Sequence, residues 1–182
     1  MIYLSAGHNL RSKDADPGAV CGKLKEAFLT AELRDLVAKE LQLLSAKFVT
    51  DTDDETLSGY IRRIKPGNGS VLCELHFNCA ANLATGAEVL VKNEYCKEEK
   101  ELATAICNII SSVCTIANRG VKTESQSHRG KLGILHTHAG ISVLVEVCFI
   151  NNKIDMQHYQ KSKKIIAAKL AEVLIMFDEL QS

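Results

Sequence analysis

Short apolar runs alternate with longer amphipathic segments along the whole chain. Apolar runs of strand length lie at residues 1–6, 47–50, 70–77, 86–91 and 142–150. Apolar residues at helical spacing predict long helices after residue 23, over 98–117 and over about 156–179. The acidic run that begins at Asp51 predicts a shorter helix, which ends near Lys65 because Pro66 follows. This alternation favours an α/β fold with a mostly parallel sheet.

Each long helix has one apolar face that we expect to pack on this sheet. The predicted inner face of the first helix consists of Phe28, Leu29, Leu33, Leu36, Val37, Leu41 and Leu44. That of the last helix includes Ile165, Ile166, Leu170, Val173, Leu174 and Phe177. The run 142–150 is almost entirely apolar, as expected for a strand covered on both faces. We therefore predict a single domain over residues 1–182, with a twisted, mostly parallel sheet and helices on both faces.

Two segments lack an apolar period and are predicted as loops. Residues 9–23 are mostly polar and contain Pro17 and Gly18. The run Asn118-Arg119-Gly120 predicts the end of the second long helix. Residues 122–140 then form a stretch rich in His, Ser and Gly, with a short LGIL run inside it.

Composition narrows the classes of partner. Lys+Arg and Asp+Glu both number 22, so the formal net charge is zero. Nucleic acids and anionic membranes favour a basic excess, and we expect neither as a partner. The chain has seven cysteines without a C-x-x-C pair, which predicts free thiols in a reducing compartment. No apolar run approaches the ~20 residues that cross a bilayer, and the N-terminus shows no signal-peptide pattern. We expect synthesis in the cytosol.

Three predicted strands carry a reactive side chain near their ends. His8 follows the first apolar run, His76 lies in VLCELHFN, and Glu146 lies in SVLVEVCF. Open α/β sheets place their sites at the carboxyl ends of strands. The recurrence of His, His and Glu at such positions predicts a metal site.

A zinc hydrolase site needs a third protein ligand besides two histidines. Glu26 and Glu32 are the nearby carboxylates, and they point to different sides of the helix because six residues correspond to about 600° of rotation. Glu26 follows a Gly-containing loop and can face the sheet edge, so it is the predicted ligand, and Glu32 is predicted to be solvated. Glu146 is the one charge within an apolar strand, a setting that raises a carboxyl pKa and suits a general base.

Several segments together resemble the zinc-dependent N-acetylmuramoyl-L-alanine amidases. SAGHNLRSKDADPGAV resembles that family's Gly-His start and D-x-G-A loop, and KLKEAFLTAEL resembles its Glu-bearing helix start. ELHFNCA resembles its H-x-N-A segment, and ANRGVK its Arg-Gly-Val-Lys segment. LGILHTHAGISVLVEVCFINNKID resembles its L-V-E-x-G-F-x-S-N-x-x-D segment. The resemblance runs in order from residue 2 to about 175, and its specificity lies in the ordered set.

The resemblance implies a catalytic domain that hydrolyses the amide between N-acetylmuramic acid and L-alanine in peptidoglycan. It implies one zinc ion held by His8, Glu26 and His76, with Glu146 as the catalytic glutamate. Three further residues are predicted to contact substrate, namely Asn78, Arg129 and Lys131. A monomer is expected. The apparent lack of a signal peptide suggests a phage or prophage endolysin that reaches the wall after release, with a bacterial enzyme exported by another route as the alternative.

Some alternatives stay open at the level of sequence. His136 or His138 could contact metal or substrate instead of being polar loop residues. Cys148 stands where the family usually has Gly, a change that could narrow the pocket beside Glu146; Asn151 and Cys79 also depart from the family pattern. The chain could also be a zinc hydrolase of the same fold that acts on another amide or peptide, or an inactive wall-binding module.

Overall fold

A six-stranded sheet forms the centre of the fold in a computed structural model, which describes residues 1–11, 15–81, 84–127 and 129–181. In chain order the strands are β1 (Ile2–Ala6), β2 (Val20–Cys21), β3 (Leu24–Lys25), β4 (Phe48–Thr50), β5 (Val71–Asn78), β6 (Ala87–Val91), β7 (Asn118–Thr123) and β8 (Ile141–Phe149). The sheet order is β4-β1-β5-β8-β6-β7, and β2 pairs with β3 in a separate hairpin. The β6–β8 pair is antiparallel, and the other pairs of the large sheet are parallel. The predicted mostly parallel α/β sheet is confirmed.

Four helices cover the two faces of this sheet. They are α1 (Glu26–Leu43), α2 (Leu57–Arg63), α3 (Lys97–Cys114) and α4 (Lys153–Leu180). The helices α1, α3 and α4 pack side by side over the larger core. On the opposite face, Tyr60 and Ile64 at the α2 end join Leu72, Leu90 and Leu144 from the strands in a smaller core. The face covered by α1, α3 and α4 carries the thicker layer, because these helices are longer than α2. No helix among the described residues is both long and apolar enough to span a membrane.

The buried stripe of α1 is narrower than the sequence pattern predicts. Leu33 and Val37 are fully buried, whereas Phe28 is 60% exposed and Leu44 is 52% exposed. Neighbouring helical residues are turned by about 100°, so the i, i+4 row that faces the sheet leaves Phe28 outside it. Ile165 of α4 is likewise exposed beside the buried Ile166. The prediction that these three exposed side chains face the core was wrong.

The end of α3 and the following segment also differ from the prediction. The helix ends at Cys114, where Thr115 takes a left-handed conformation with φ of 53°. Residues Asn118–Thr123, predicted as a helix stop and the start of a loop, form the edge strand β7, which pairs with β6. This strand lies at the periphery of the sheet, where none of its side chains is fully buried, so its sequence needs no apolar alternation. The strand was missed because its sequence, NRGVKT, carries no strand period.

The order β1-β5-β8 places the ends of three parallel strands next to one another. His8 lies two residues beyond β1, and His76 lies near the end of β5. Glu146 is the direct neighbour of His76 across the β5–β8 pair. Thr30 of α1 donates a 2.7 Å hydrogen bond from its Oγ1 to the backbone carbonyl of Gly7, the residue before His8. The fold thus brings the start of α1 to the same edge of the sheet.

The two faces of α1 predict opposite responses to truncation. We expect Leu33→Ala to lower the free energy of unfolding by about 2–5 kcal/mol, because it leaves a cavity in the larger core. Phe28→Ala on the same helix should change it by less than about 0.5 kcal/mol, since the ring is mostly in solvent. Urea unfolding monitored by circular dichroism measures both. Similar losses for the two variants would contradict the packing of α1.

Candidate metal centre and active site

His8 is held in an unusual backbone conformation at the edge of the sheet. Its φ is 67°, in the left-handed region that few non-glycine residues adopt. The two backbone hydrogen bonds between Asn9 and Asp16 close the loop behind it. Its Nδ1 lies 2.8 Å from Asp16 Oδ2. Its Nε2 is buried without a hydrogen-bond partner, 3.2 Å from Glu26 Oε2. A buried nitrogen that lacks a hydrogen-bond partner and faces a carboxylate is available to bind a metal.

Glu26 is the first residue of α1 and is 3% exposed. Its Oε1 accepts hydrogen bonds from the Phe77 backbone N–H (3.0 Å) and faces His76 Nδ1 at 2.9 Å. Its Oε2 accepts from the Ala19 backbone N–H at 2.8 Å. Burial opposes ionisation, but the hydrogen bond with His76 and the nearby imidazole of His8 outweigh it and hold the pKa of Glu26 well below its usual range. The carboxylate is therefore ionised and fixed in place.

His76 lies between two carboxylates. Its Nδ1 faces Glu26, and its Nε2 lies 3.1 Å from Glu74 Oε2. Its ring meets that of His8 edge to face, with centroids 5.0 Å apart. Burial by itself would lower the pKa of His76, but the hydrogen bonds to Glu26 and Glu74 raise it to about 10. Without a metal, this imidazole therefore holds a second proton at neutral pH.

Two glycines leave the space that these side chains occupy. A Cβ atom at Gly7 would collide with the His76 imidazole ring. A Cβ atom at Gly18 would lie 2.6 Å from Glu26 Oε2 and 2.5 Å from His8 Cδ2. Gly18 also has a φ of 63°, which disfavours any other residue. The Gly-His start and the D-x-G loop are thus explained by the packing of the site.

One ligand atom from each of His8, Glu26 and His76 lies within 4.8 Å of the other two. Two imidazole nitrogens and one carboxylate oxygen are a typical donor set for a hydrolytic zinc site with an open position. Deprotonation of His76 and the orphaned Nε2 of His8 would supply two free lone pairs toward the same point. These residues therefore fit a divalent transition metal.

Glu146 lies beside this group on β8. Its neighbours across the sheet are His76 on one side and Glu88 on the other. Its Oε2 is shielded from solvent and has no hydrogen-bond partner. Burial raises the pKa of Glu146 to about 7, although the charge of His76 acts in the opposite direction. A carboxylate with a free buried oxygen and this pKa suits proton transfer.

A groove with two lobes lies next to the proposed ligands His8, Glu26 and His76. The lobe on the α2 side has a volume of about 460 Å³, and the lobe on the β7 side has about 590 Å³. His76 and Arg129 line both lobes, and Glu146 lines the second. Asn78 also lines the second lobe, where its amide donates to Glu88 Oε1 at 2.8 Å. Lys131 is exposed and lines neither lobe.

The remaining candidates lie away from the group. His136 Nε2 is 3.0 Å from both carboxylate oxygens of Glu124, and His138 is exposed. Glu32 is exposed and pairs with Lys163 at 2.5 Å, as predicted for a solvated helix residue. The geometry thus offers no contact between His136, His138 or Glu32 and the proposed ligands.

Cys148 does not narrow the groove. The pairing of β5 with β8 shifts between His76 and Asn78, and the irregularity turns Cys148 into the larger core. There its Sγ lies 3.9 Å from the Met156 sulfur. The expectation that Cys148 intrudes beside Glu146 was wrong, because a strand irregularity changes which side chains face the site.

Sequence reasoning missed Glu74 and Asp16, each of which lies behind a proposed histidine ligand. Glu74 is 2% exposed and stands in the apolar strand VLCELHFN. The cost of burying a charge, which singled out Glu146, applies equally to Glu74. That signal was available in the sequence.

Comparisons with known proteins identify the family and the fold. A family model described as N-acetylmuramoyl-L-alanine amidase matches residues 2–175. The catalytic domain of the CD27L endolysin, which targets Clostridium difficile, is 24% identical with a TM-score of 0.74, covering 96% of each chain. A candidate N-acetylmuramoyl-L-alanine amidase from Neisseria meningitidis is 26% identical with a TM-score of 0.74, covering 98% of this chain and 94% of its own. The amidase AmiC2 of Nostoc punctiforme is 20% identical with a TM-score of 0.76, covering 100% and 98%. No curated protein sequence matches the chain.

The proton on His76 predicts how metal affinity depends on pH. Its pKa of about 10 in the metal-free protein means that a metal must displace one proton across the neutral range. We therefore expect the Kd for Zn²⁺ to fall about tenfold for each unit that the pH rises between 6 and 8. Competition with a metal-binding dye, corrected for the dye's own protonation, measures this slope. A Kd that does not change with pH would mean that His76 is not a ligand.

Proposed function

This chain belongs to the N-acetylmuramoyl-L-alanine amidase family, and from that membership we propose that it hydrolyses the bond between N-acetylmuramic acid and L-alanine with one zinc ion held by His8, Glu26 and His76. It is a peptidoglycan amidase by family. The zinc ion, its ligands and the catalytic role of Glu146 are the parts that we add. We further propose that residues 1–182 act as one catalytic domain and as a monomer.

The observation that carries the proposal is the convergence of the three ligand atoms within 4.8 Å, with His8 Nε2 left without a hydrogen bond. A structural cluster of two histidines and a glutamate would satisfy every buried nitrogen internally. A wall-binding module without catalysis would not need Glu146, whose Oε2 is also unsatisfied. Both orphaned atoms belong to neighbours of His76, because His8 packs against its ring and Glu146 is its partner across the sheet.

Different residues of the groove have different roles in hydrolysis. When bound, a zinc ion supplies a Lewis acid for the amide carbonyl and lowers the pKa of water toward about 7. Glu146 accepts the proton of the attacking water at its free Oε2 and passes it to the leaving L-alanine nitrogen. The ionised Glu26 and the two histidines stay fixed, because Phe77 and Ala19 hold Glu26 through their backbone N–H groups. Water and substrate reach Glu146 through the lobe on the β7 side, which Glu146 lines.

Substrate binding is assigned to the groove wall. Arg129 lines both lobes and has no ion-pair partner within the residues that the structure describes, so it is available for a carboxylate of the stem peptide. Asn78 lines the lobe that contains Glu146, and its side chain is oriented by Glu88. Lys131 lies outside the groove, so Arg129 is the cation to which we assign the carboxylate of the stem peptide.

The biological setting is proposed on the same basis. Endolysins and bacterial wall amidases share this fold, as the similar structures from both groups illustrate. We propose that the protein acts on the cell wall, either as a phage or prophage endolysin after its release or as a bacterial enzyme that is exported by another route.

The reaction itself is tested by analysing the products formed from purified peptidoglycan. We expect new L-alanine amino termini without new reducing sugars, loss of activity with a chelator, and recovery with Zn²⁺. Glu146→Gln should lower kcat at least about 100-fold, since general base catalysis contributes that much, while zinc binding is retained. Glu32→Gln, a matched change on the exposed side of α1, should keep full activity.

Each alternative gives a different result in this assay. New reducing sugars would indicate a glycosidase, and cleavage of simple acyl amino acids instead of muropeptides would indicate another amidohydrolase. Binding to peptidoglycan without turnover would indicate an inactive wall-binding module. Full activity of Glu146→Gln would remove Glu146 from the mechanism.

The assignment of Arg129 predicts a specific kinetic change. Arg129→Ala should raise KM for a muropeptide about tenfold with a smaller effect on kcat, as expected for the loss of a charged contact to substrate. Lys131→Ala removes a nearby cation that lies outside the groove and should leave both constants unchanged. An equal rise in KM for Lys131→Ala would restore Lys131 to the binding site.

A further inference from the structure

Glu74 is a buried carboxylate with one close partner. It is 2% exposed, and it lies on the central strand β5 between β1 and β8. Its Oε2 is 3.1 Å from His76 Nε2, and Ser5 Oγ approaches its Oε1 at 3.5 Å, the outer limit for a hydrogen bond. Within the described ranges, no lysine or arginine forms an ion pair with it. A buried carboxylate is costly without a partner, and the pairing with His76 offsets that cost.

We propose that Glu74 is a positioning residue of the metal centre: its carboxylate accepts the Nε2 proton of His76 and thereby presents Nδ1 of the same ring to the metal. This inference rests on the zinc site proposed above and adds a residue to it. Glu74 and His76 are two residues apart on one strand, so their side chains lie on the same face.

The surroundings of His76 leave this ring one arrangement. Its Nδ1 faces Glu26 Oε1, on the side where His8 Nε2 and Glu26 converge. Its Nε2 faces away from that point, toward Glu74. A ring turned by 180° would place carbon atoms where Nδ1 and Nε2 now face the two carboxylates, and both hydrogen bonds would be lost. Nδ1 is therefore the nitrogen that can reach the metal.

The two histidines use opposite nitrogens for the same reason. His8 Nδ1 lies 2.8 Å from Asp16 Oδ2, which leaves Nε2 for the metal. The two supporting carboxylates differ in their exposure, because the side chain of Asp16 is 62% exposed and that of Glu74 is 3% exposed. Solvent screens a charge at Asp16 much more than one at Glu74. The larger effect on metal affinity therefore comes from Glu74.

A carboxylate in this position has two consequences. It fixes the tautomer of the histidine and increases the basicity of the nitrogen that binds the metal. Loss of such a partner weakens metal affinity by about 10–100-fold. Catalysis by the loaded enzyme changes less, because Glu74 touches neither Glu146 nor any other residue to which we assign proton transfer.

The test compares zinc affinity in the full chain with Glu74 changed to Gln or Asp. We expect Glu74→Gln to raise the Kd for Zn²⁺ about 10–100-fold, with KM unchanged and most of kcat recovered at saturating zinc. Glu74→Asp keeps the charge at a greater distance and should recover part of the affinity. Glu99→Gln is the matched control, since Glu99 is a fully buried carboxylate that touches no proposed ligand. It should leave the Kd unchanged.

A measurement on the unmodified protein covers the case in which Glu74→Gln fails to fold. In ¹⁵N-histidine NMR of the zinc-loaded protein, we expect His76 to show a protonated Nε2 and a metal-bound Nδ1. The opposite assignment, or an unchanged zinc Kd in a folded Glu74→Gln variant, overturns the role of Glu74 while the amidase proposal stands. If the unmodified protein cleaves peptidoglycan without binding zinc, both the zinc site and the role of Glu74 are overturned.

Discussion

The site depends on the contacts made by one buried carboxylate, that of Glu26. It begins α1, and its oxygens contact a backbone N–H from the preceding loop, a backbone N–H of β5 and both proposed histidine ligands. An isolated charge in this position would cost several kcal/mol. The surrounding N–H groups and imidazoles offset that cost. One side chain therefore joins the helix α1, the strand β5 and the two loops that carry His8 and Ala19.

The geometry of the sheet makes this arrangement possible. The strands β1, β5 and β8 are adjacent and parallel, so their carboxyl ends open toward the same edge. His8 and Glu146 come from the strands on either side of His76. Close packing leaves no space for a side chain at two positions, and both are glycines, Gly7 and Gly18. The left-handed backbone of His8 is a further local cost that the site retains.

Charged residues in apolar strands are the clearest functional signal in this chain. Glu74 and Glu146 each interrupt a run of buried aliphatic residues, and both face the groove. Their environments differ: Glu74 has a histidine within hydrogen-bonding distance, and Glu146 has an oxygen without any partner. On this difference we base the proposal that Glu74 orients a metal ligand and that Glu146 moves a proton. Sequence alone places both in strands but does not distinguish their roles.

The sequence by itself determined the α/β class, the helices and the strands that carry His8, His76 and Glu146, because apolar periodicity reflects burial directly. It also favoured Glu26 over Glu32, since helical rotation separates them. Tertiary structure alone decided the rest. The strand β7 exists through pairing with β6, and Cys148 faces the core because a strand irregularity turns it there. The carboxylate that faces each imidazole nitrogen, from Asp16, Glu26 or Glu74, is set by packing in the folded chain and is not encoded in any local pattern.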